Sequence, residues 1–128
     1  MADLLEQGAA WLEEMRLKHA VRPVIYVRGA AAVEVQATVG RTVFELRDEY
    51  GLVEKTETRD FLVRTVELVL GGELTLPKRG DQVRETAGGK VFVYEVMAPG
   101  KEPEWRWSDF YRRTLRIHTK QVGTEEAP

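Results

Sequence analysis

Residues 76–97 read LPKRGDQVRETAGGKVFVYEVM and contain the clearest fold signal in the chain. Gly88-Gly89 separates a short polar run from an apolar run centred on Tyr94-Glu95-Val96. Paired glycines between two such runs predict a β-hairpin, because both turn positions accept a positive φ without steric conflict. Gly80-Asp81 predicts a turn ahead of the hairpin, since glycine bends the chain and aspartate can bond the turn backbone. The stretch therefore indicates antiparallel β-structure.

The chain on both sides of this hairpin also alternates between apolar and polar residues, as half-buried strands do. Five further strands are predicted, over residues 23–28, 33–39, 42–47, 53–66 and 114–122. Turns are predicted at Gly29-Ala30, at Gly40-Arg41 and over residues 48–51, and a long loop over residues 99–113. About seven strands with glycine turns predict a mainly β protein, a small antiparallel β-barrel or sandwich.

The N-terminal segment has helical periodicity instead. Asp3 can cap a helix with Glu6 three residues later, and Pro23 lies beyond its predicted end, so we expect an amphipathic helix over about residues 4–18. The helix has an apolar stripe that would pack on the barrel core or on a neighbouring subunit: Leu4, Trp11, Leu12 and Met15. We expect one domain over residues 1–122 and a polar C-terminal tail over 123–128.

Composition excludes several classes of protein. The chain has 128 residues, a net charge of −2 and no cysteine, so it lacks disulfides, thiol nucleophiles and a global basic surface for nucleic acid. It has no apolar run long enough for a membrane span, and acidic residues stand where a secretion signal would be basic. We therefore expect a protein that is made and folded in a cytoplasm and makes no contact with a membrane.

No sequence motif marks a catalytic or cofactor site. Ser108, Asp109 and His118 are the residue types of a hydrolase triad, but no Gly-x-Ser-x-Gly elbow accompanies them. The two histidines lie on elements of different kinds, and no glycine pair leads into a phosphate-binding loop. We predict no catalytic residue, no metal and no cofactor; an enzyme with an unmarked carboxylate pair is the least favoured alternative.

A basic and aromatic cluster lies near the C-terminus. Arg116, His118 and Lys120 alternate along the last predicted strand and would project from one polar face. Arg112, Arg113 and the sequence Trp105-Arg106-Trp107 precede them. Three interpretations remain open: a solvated strand face beside a loop held by its tryptophans, a protein interface, or a nucleic-acid surface.

Six short segments, in this order, resemble the head–tail joining (neck) proteins of long-tailed bacteriophages. They are Arg28-Gly29, Arg59-Asp60-Phe61-Leu62, Leu76-Pro77 with Gly80-Asp81, Tyr94-Glu95-Val96, Trp105 with Trp107, and Arg116-Ile117-His118-Thr119-Lys120. The resemblance extends from about Tyr26 onward and is strongest from Asp60 to Gln121.

The resemblance implies a structural virion protein that works at the neck after assembly in the host cytoplasm. It implies a ring, commonly of about six copies, between the portal vertex and the tail, which closes the DNA exit channel after packaging. The implied partners are other copies, portal or adaptor proteins on the head side and a tail terminator on the tail side, with weak contact to packaged DNA. A tail terminator (tail-completion protein) is an alternative.

Site predictions combine this resemblance with the cluster. The candidate interface residues are Trp105, Arg106, Trp107, Arg112, Arg113, Arg41, Glu49 and Tyr50. The candidate residues facing the channel and its DNA are Arg116, His118 and Lys120. A single-stranded nucleic-acid-binding barrel is the alternative from another class, and it would place Phe92, Tyr94 and the Trp105–Trp107 loop on a stacking face.

Overall fold

Gly88 and Gly89 form the predicted hairpin turn, with φ of 60° and 77°, between strands Gln82–Ala87 and Lys90–Val96. The structure, a computed structural model, describes residues 4–19 and 21–128, with the side chains of residues 12–19 left undescribed. In chain order the described elements are helix α1 (Leu4–His19) and strands β1 (Arg22–Arg28), β2 (Ala31–Arg47), β3 (Val53–Arg64), β4 (Val69–Leu70), β5 (Glu73–Leu74), β6 (Gln82–Ala87), β7 (Lys90–Val96), β8 (Trp105–Trp107) and β9 (Thr114–Glu126), with a 3₁₀ turn over Thr65–Glu67.

The main sheet has seven antiparallel strands in the order β3-β2-β1-β6-β7-β9-β8. Strand β3 also pairs with β9, so the sheet curves round into a partial ring. The register of this closing pair sets Phe61 opposite Ile117 and Asp60 opposite His118. The prediction of a mainly β fold of about seven antiparallel strands with an N-terminal helix is confirmed.

Apolar residues at alternate strand positions point into the ring and form one core, because successive side chains of a strand face opposite sides. The core includes Val24, Tyr26, Val35, Ala37, Phe61, Val63, Val83, Val96, Leu115 and Ile117. Burial of each large apolar side chain contributes about 1.5–3 kcal/mol, so this interior provides most of the driving force for folding.

Strands β2 and β3 extend beyond the ring as a hairpin. Pairing of β3 with β9 ends at Arg59 opposite Thr119, whereas pairing of β3 with β2 continues to Val53 opposite Arg47. We call the projecting part, residues 42–58, the hairpin arm. At its end the Asp48 carboxylate accepts the backbone N–H groups of two residues across the turn. The arm is thus a defined hairpin with a closed tip.

The turn predicted at Gly40-Arg41 is wrong, since both residues lie inside β2. Gly40 pairs with Asp60 across the sheet, and a Cβ at Gly40 would lie 3.0 Å from Nη1 of Arg116. Glycine is present in this strand because another side chain approaches the backbone closely, which is a common reason for glycine inside a strand.

Strand β9 is longer than predicted. The sequence predicts its end at Val122 with a polar tail beyond, but residues 123–126 pair with β7, where Glu126 lies opposite Lys90. A register shift between Val93 and Tyr94 accommodates the longer strand. Polar residues are acceptable here because residues 124–126 are exposed, and Glu125 forms an ion pair with Arg84.

The described part of the helix does not have its apolar stripe buried. The helix spans Leu4–His19, close to the prediction, but Leu4 is 84% and Trp11 58% exposed. These two residues therefore do not pack on the sheet, and of the two alternatives their packing on a neighbouring subunit stays a prediction. The capping residue Asp3 and the side chains of Leu12 and Met15 lie outside the described part.

Candidate functional site

The outer face of the closing strand pair holds a buried polar network around Asp60. Its Oδ1 lies 2.9 Å from Nδ1 of His118 and accepts the Thr58 hydroxyl at 2.6 Å. Its Oδ2 accepts the Thr42 hydroxyl at 2.5 Å and Nη1 of Arg116 at 2.9 Å. Asp60 and His118 are both 0% exposed. The network links β2, β3 and β9 at the base of the hairpin arm.

His118 therefore does not face a channel or DNA, which corrects the prediction that it projects from an exposed polar face with Arg116 and Lys120. Alternation along β9 does place the three on the same side, but the segment after β7 covers His118. The backbone N–H of Met97 donates to the His118 carbonyl, and the His118 N–H donates to the Glu104 carbonyl. We call residues 97–104 the covering loop.

The Asp60 carboxylate is ionised despite its burial. Burial alone would raise its pKa, but hydrogen bonds from His118, Thr42, Thr58 and Arg116 outweigh burial and hold the pKa of Asp60 well below its usual range. An ionised carboxylate only accepts, so Nδ1 of His118 carries the proton. Nε2 of His118 is buried without a hydrogen-bond partner among the described residues, and Oε2 of Glu102 lies 3.6 Å away.

A second network holds the turn at Gly80-Asp81. Asp81 is 4% exposed and accepts the Tyr26 hydroxyl, the Lys78 backbone N–H at 2.9 Å, and both Nε and Nη2 of Arg28 at 2.9 and 2.7 Å. Arg28 also donates to the Thr75 hydroxyl. Burial would raise the pKa of Asp81, but the bonds from Arg28 and Tyr26 lower it. The network holds the turn that precedes the β6–β7 hairpin against β1.

A third network lies at the end of the ring from which the arm projects. Glu85 is 3% exposed, and its two carboxylate oxygens each lie 2.7 Å from an arginine, Arg22 and Arg59. The Arg59 guanidinium also lies over the rings of Phe61 and Tyr94, 5.6 and 5.1 Å from their centroids. Among the described side chains, these two arginines share one carboxylate, so the cluster of three residues has a net charge of +1.

The two tryptophans of the predicted loop belong to strand β8, which pairs with β9 and shortens that loop. Trp105 and Trp107 are half-buried, pack on the core and meet edge to face with centroids 5.0 Å apart. Arg106 between them is exposed. Tyr94 is 7% exposed and packs edge to face on Phe61. Tyr94 is therefore unavailable for the base stacking that a nucleic-acid-binding barrel would require.

Asp109 organises the turn that follows β8. Its Oδ1 accepts the backbone N–H groups of Arg113 and Thr114, while Arg112 adopts a positive φ of 60°. Phe110 in this turn is 91% exposed and was not identified from the sequence. Asp109 is engaged with the turn backbone and His118 with Asp60, so Ser108, Asp109 and His118 do not form a triad.

The turn over residues 108–113 and the hairpin arm lie at opposite ends of the ring of strands. Strand β3 runs from one end to the other: it begins in the arm, and Thr65, just after its last residue, donates its backbone N–H to the Arg113 carbonyl. Arg41 lies at the base of the arm, 3.4 Å from Glu57, while Glu49 and Tyr50 are exposed at its tip. The predicted interface residues thus divide among the arm, β8 and the opposite turn.

Within residues 4–19 and 21–128, no group of three or more His, Asp or Glu side chains is arranged to hold a metal ion. The described helix is too short and too polar to cross a membrane.

Comparison of the sequence with known families matches the chain to one of them. A sequence profile described as "Phage head-tail joining protein" matches residues 2–126. The chain belongs to the phage head–tail joining protein family. Members are structural virion proteins rather than enzymes, and the family implies a place at the virion neck between head and tail components. No curated protein matches the chain.

Several residues that carry the sequence resemblance lie in the buried networks of this head–tail joining protein. Arg28 donates to Asp81, and His118 and Arg116 each bond a carboxylate oxygen of Asp60. Asp60 was not identified from the sequence as a site residue. The signal was a carboxylate set between Arg59 and the apolar Phe61, on a strand whose next residues enter the core. Such a carboxylate requires donors from another strand.

Proposed function

We propose that this chain forms a ring of about six copies between the portal vertex and the tail, closes the DNA exit after packaging and provides the surface to which the tail attaches. The match to the joining family over residues 2–126 is the observation that carries the proposal. Copies of this chain, portal or adaptor proteins and a tail terminator are its partners, and assembly takes place in the host cytoplasm.

The fold is suited to a rigid spacer with two different ends. The three buried carboxylates Asp60, Asp81 and Glu85 each bond donors from at least one other strand, so the register of the ring of strands is fixed. The hairpin arm projects from one end, and the turn at residues 108–113 with exposed Phe110 lies at the other. One end would face the head and the other the tail.

Contact with DNA in this proposal is weak. The chain has a net charge of −2, and Arg116 is engaged with the Asp60 carboxylate. Lys120 is exposed on β9 and is the remaining candidate of the channel-facing set. A few separated cations give low, salt-sensitive affinity for phosphates, so packaged DNA could pass through without being retained.

The test is electron microscopy of a phage lysate in which this gene is disrupted, before and after addition of the purified protein. Separate DNA-containing or leaking heads and finished tails, joined after the addition, would support the joining role. Intact virions in the disrupted lysate would contradict it. Purification of the protein with tails alone would replace the joining role with that of a tail terminator.

A further inference from the structure

The ring of strands has an open mouth beside the hairpin arm. Beyond the pair of Arg59 with Thr119, residues 53–58 of β3 pair only with β2, and residues 120–126 of β9 pair only with β7 among the described strands. The two strands diverge around an open depression of ≈ 640 Å³. Its lining includes Arg41, Glu57, Arg59, Tyr94, Lys120 and Gln121.

Both sides of this mouth present strand edges with unpaired backbone N–H and C=O groups. Proteins generally cover such edges, because an open edge is a template for pairing with another chain. An extended segment can be added to an open edge through backbone hydrogen bonds, and the side chains then determine which segment binds. The mouth is therefore shaped for a strand or hairpin from another chain.

Charge indicates the nature of that segment. The lining combines Arg41, Arg59 and Lys120 with one acidic residue, Glu57. Arg59 shares the Glu85 carboxylate with Arg22, so this carboxylate compensates the charge of Arg59 only in part. An acidic segment would be attracted to this mouth and a basic one repelled.

The end of the hairpin arm has the complementary properties. Residues 45–54 contain four acidic residues and one basic residue. They also expose apolar side chains: Leu46 is 48%, Tyr50 82% and Leu52 69% exposed. Exposed aromatic and aliphatic side chains on a projecting hairpin are typical anchors of a protein interface. The arm cannot enter its own mouth, because even its last strand pair, Arg47 with Val53, lies about 20 Å beyond Arg59 at about 3.3 Å per residue.

We propose that the arm end of one copy, residues 45–54, binds in the mouth of the neighbouring copy, between β3 and β9. The inference rests on the proposed ring. Donor and acceptor surfaces differ, so the contact is heterologous, and heterologous contacts that close generate rings. Each copy would give one arm and receive one, and both open edges would be covered throughout the assembly.

Disulfide cross-linking tests this contact directly, because the chain has no cysteine of its own. A phage carrying Tyr50→Cys together with Gln121→Cys in this gene is purified and oxidised, and the protein is separated without reductant. We expect a ladder of disulfide-linked multimers, whereas each single variant gives at most a dimer. Tyr50→Cys with Val66→Cys is the matched control, since Val66 is 68% exposed at the opposite end; it should give no ladder.

Charge reversal provides an independent test. Glu49→Lys with Glu54→Lys reverses the charge of the arm, and Arg41→Glu with Gln121→Glu reverses that of the mouth without altering Lys120; all four residues are exposed, so folding should be retained. Each variant alone should lose at least tenfold in joining of heads to tails. An equal mixture should recover joining, because each reversed arm then meets a reversed mouth.

The possible outcomes separate the two proposals. Two results would overturn the contact between arm and mouth and leave the joining role intact. One is that particles with both cysteines contain the protein but give no ladder, and the other is that a charge-reversed variant assayed alone joins heads to tails normally. Particles that lack the protein would overturn the joining role itself. A ladder with rescue by mixing would support both.

Discussion

Nδ1 of His118 lies 2.9 Å from Oδ1 of Asp60, and neither side chain is exposed to solvent. The two residues are directly opposite across β3 and β9, the pair that closes the sheet. A charged carboxylate at this position is tolerated only because four side chains donate to it. The pairing of β3 with β9 that closes the sheet therefore also brings His118 and Arg116 within hydrogen-bond distance of the Asp60 carboxylate.

We predict that Asp60→Asn destabilises the protein by about 3–5 kcal/mol, because it leaves Arg116 without its buried counter-charge and several donors without an acceptor. Urea unfolding followed by tryptophan fluorescence measures the change. Glu57→Gln is the matched control: it removes an exposed partner of Arg41 and should cost less than about 1 kcal/mol. Equal effects of the two variants would contradict the structural role of Asp60.

The free energy of unfolding should depend on acid pH through Asp60 and Asp81. Their pKa values are lower in the folded protein than in the unfolded chain, so the unfolded chain binds more protons as the pH falls. Their contribution is complete above the unfolded pKa of about 3.9 and is lost as the pH falls through the folded values. Urea midpoints measured from about pH 6 down to about pH 3 should fall steeply below about pH 4.

Asp81→Asn should flatten this dependence, because the substituted side chain does not titrate. The variant should also be less stable at neutral pH, since Arg28 loses its carboxylate partner. A slope below about pH 4 equal to that of the unaltered protein would show that Asp81 does not contribute to the acid sensitivity.

Gly40→Ala should destabilise the protein by about 1–3 kcal/mol through overpacking. The added Cβ would lie 3.0 Å from Nη1 of Arg116 and 3.3 Å from Cδ1 of Leu62, so the guanidinium that donates to Asp60 must shift by a few tenths of an ångström. Thermal and urea unfolding measure the effect. Gly123→Ala is the control, since a Cβ there meets nothing within 4 Å. A stable Gly40→Ala protein would mean that Arg116 can bond Asp60 from another position.

Turns could be predicted where the residues of the turn itself determine its conformation. Gly88-Gly89 and the turn at Asp48 carry their own conformational signals, and the structure has turns at both places. The sequence misled at Gly40, where glycine serves a close approach by Arg116, a residue 76 positions later in the chain. It misled again at residues 123–126, where pairing with β7 overrides a polar composition.

The sites were less predictable because burial depends on partners distant in sequence. Alternation placed Arg116, His118 and Lys120 on one face correctly, but His118 is buried, with Glu102 of the covering loop 3.6 Å from its Nε2, while Lys120 is exposed. The alternation of residues along β9 gives no information on where residues 97–104 pack. Asp60 was overlooked for the same reason, since its four donors come from three strands.

The interface prediction for the β8 region is best tested at Arg106 rather than at the tryptophans beside it. Trp105 and Trp107 are half-buried and pack on the core, so Trp105→Ala should cost at most about 3–5 kcal/mol and would lower joining through the loss of folded protein. Arg106 is exposed, so Arg106→Ala should leave the melting temperature within about 1–2 °C. If β8 contacts a neck partner, Arg106→Ala should still reduce joining of heads to tails several-fold. Lys90→Ala, an equally exposed change elsewhere in the sheet, should leave both measurements unaltered. Normal joining by a folded Arg106→Ala protein would remove β8 from the interface and leave its tryptophans with a structural role only.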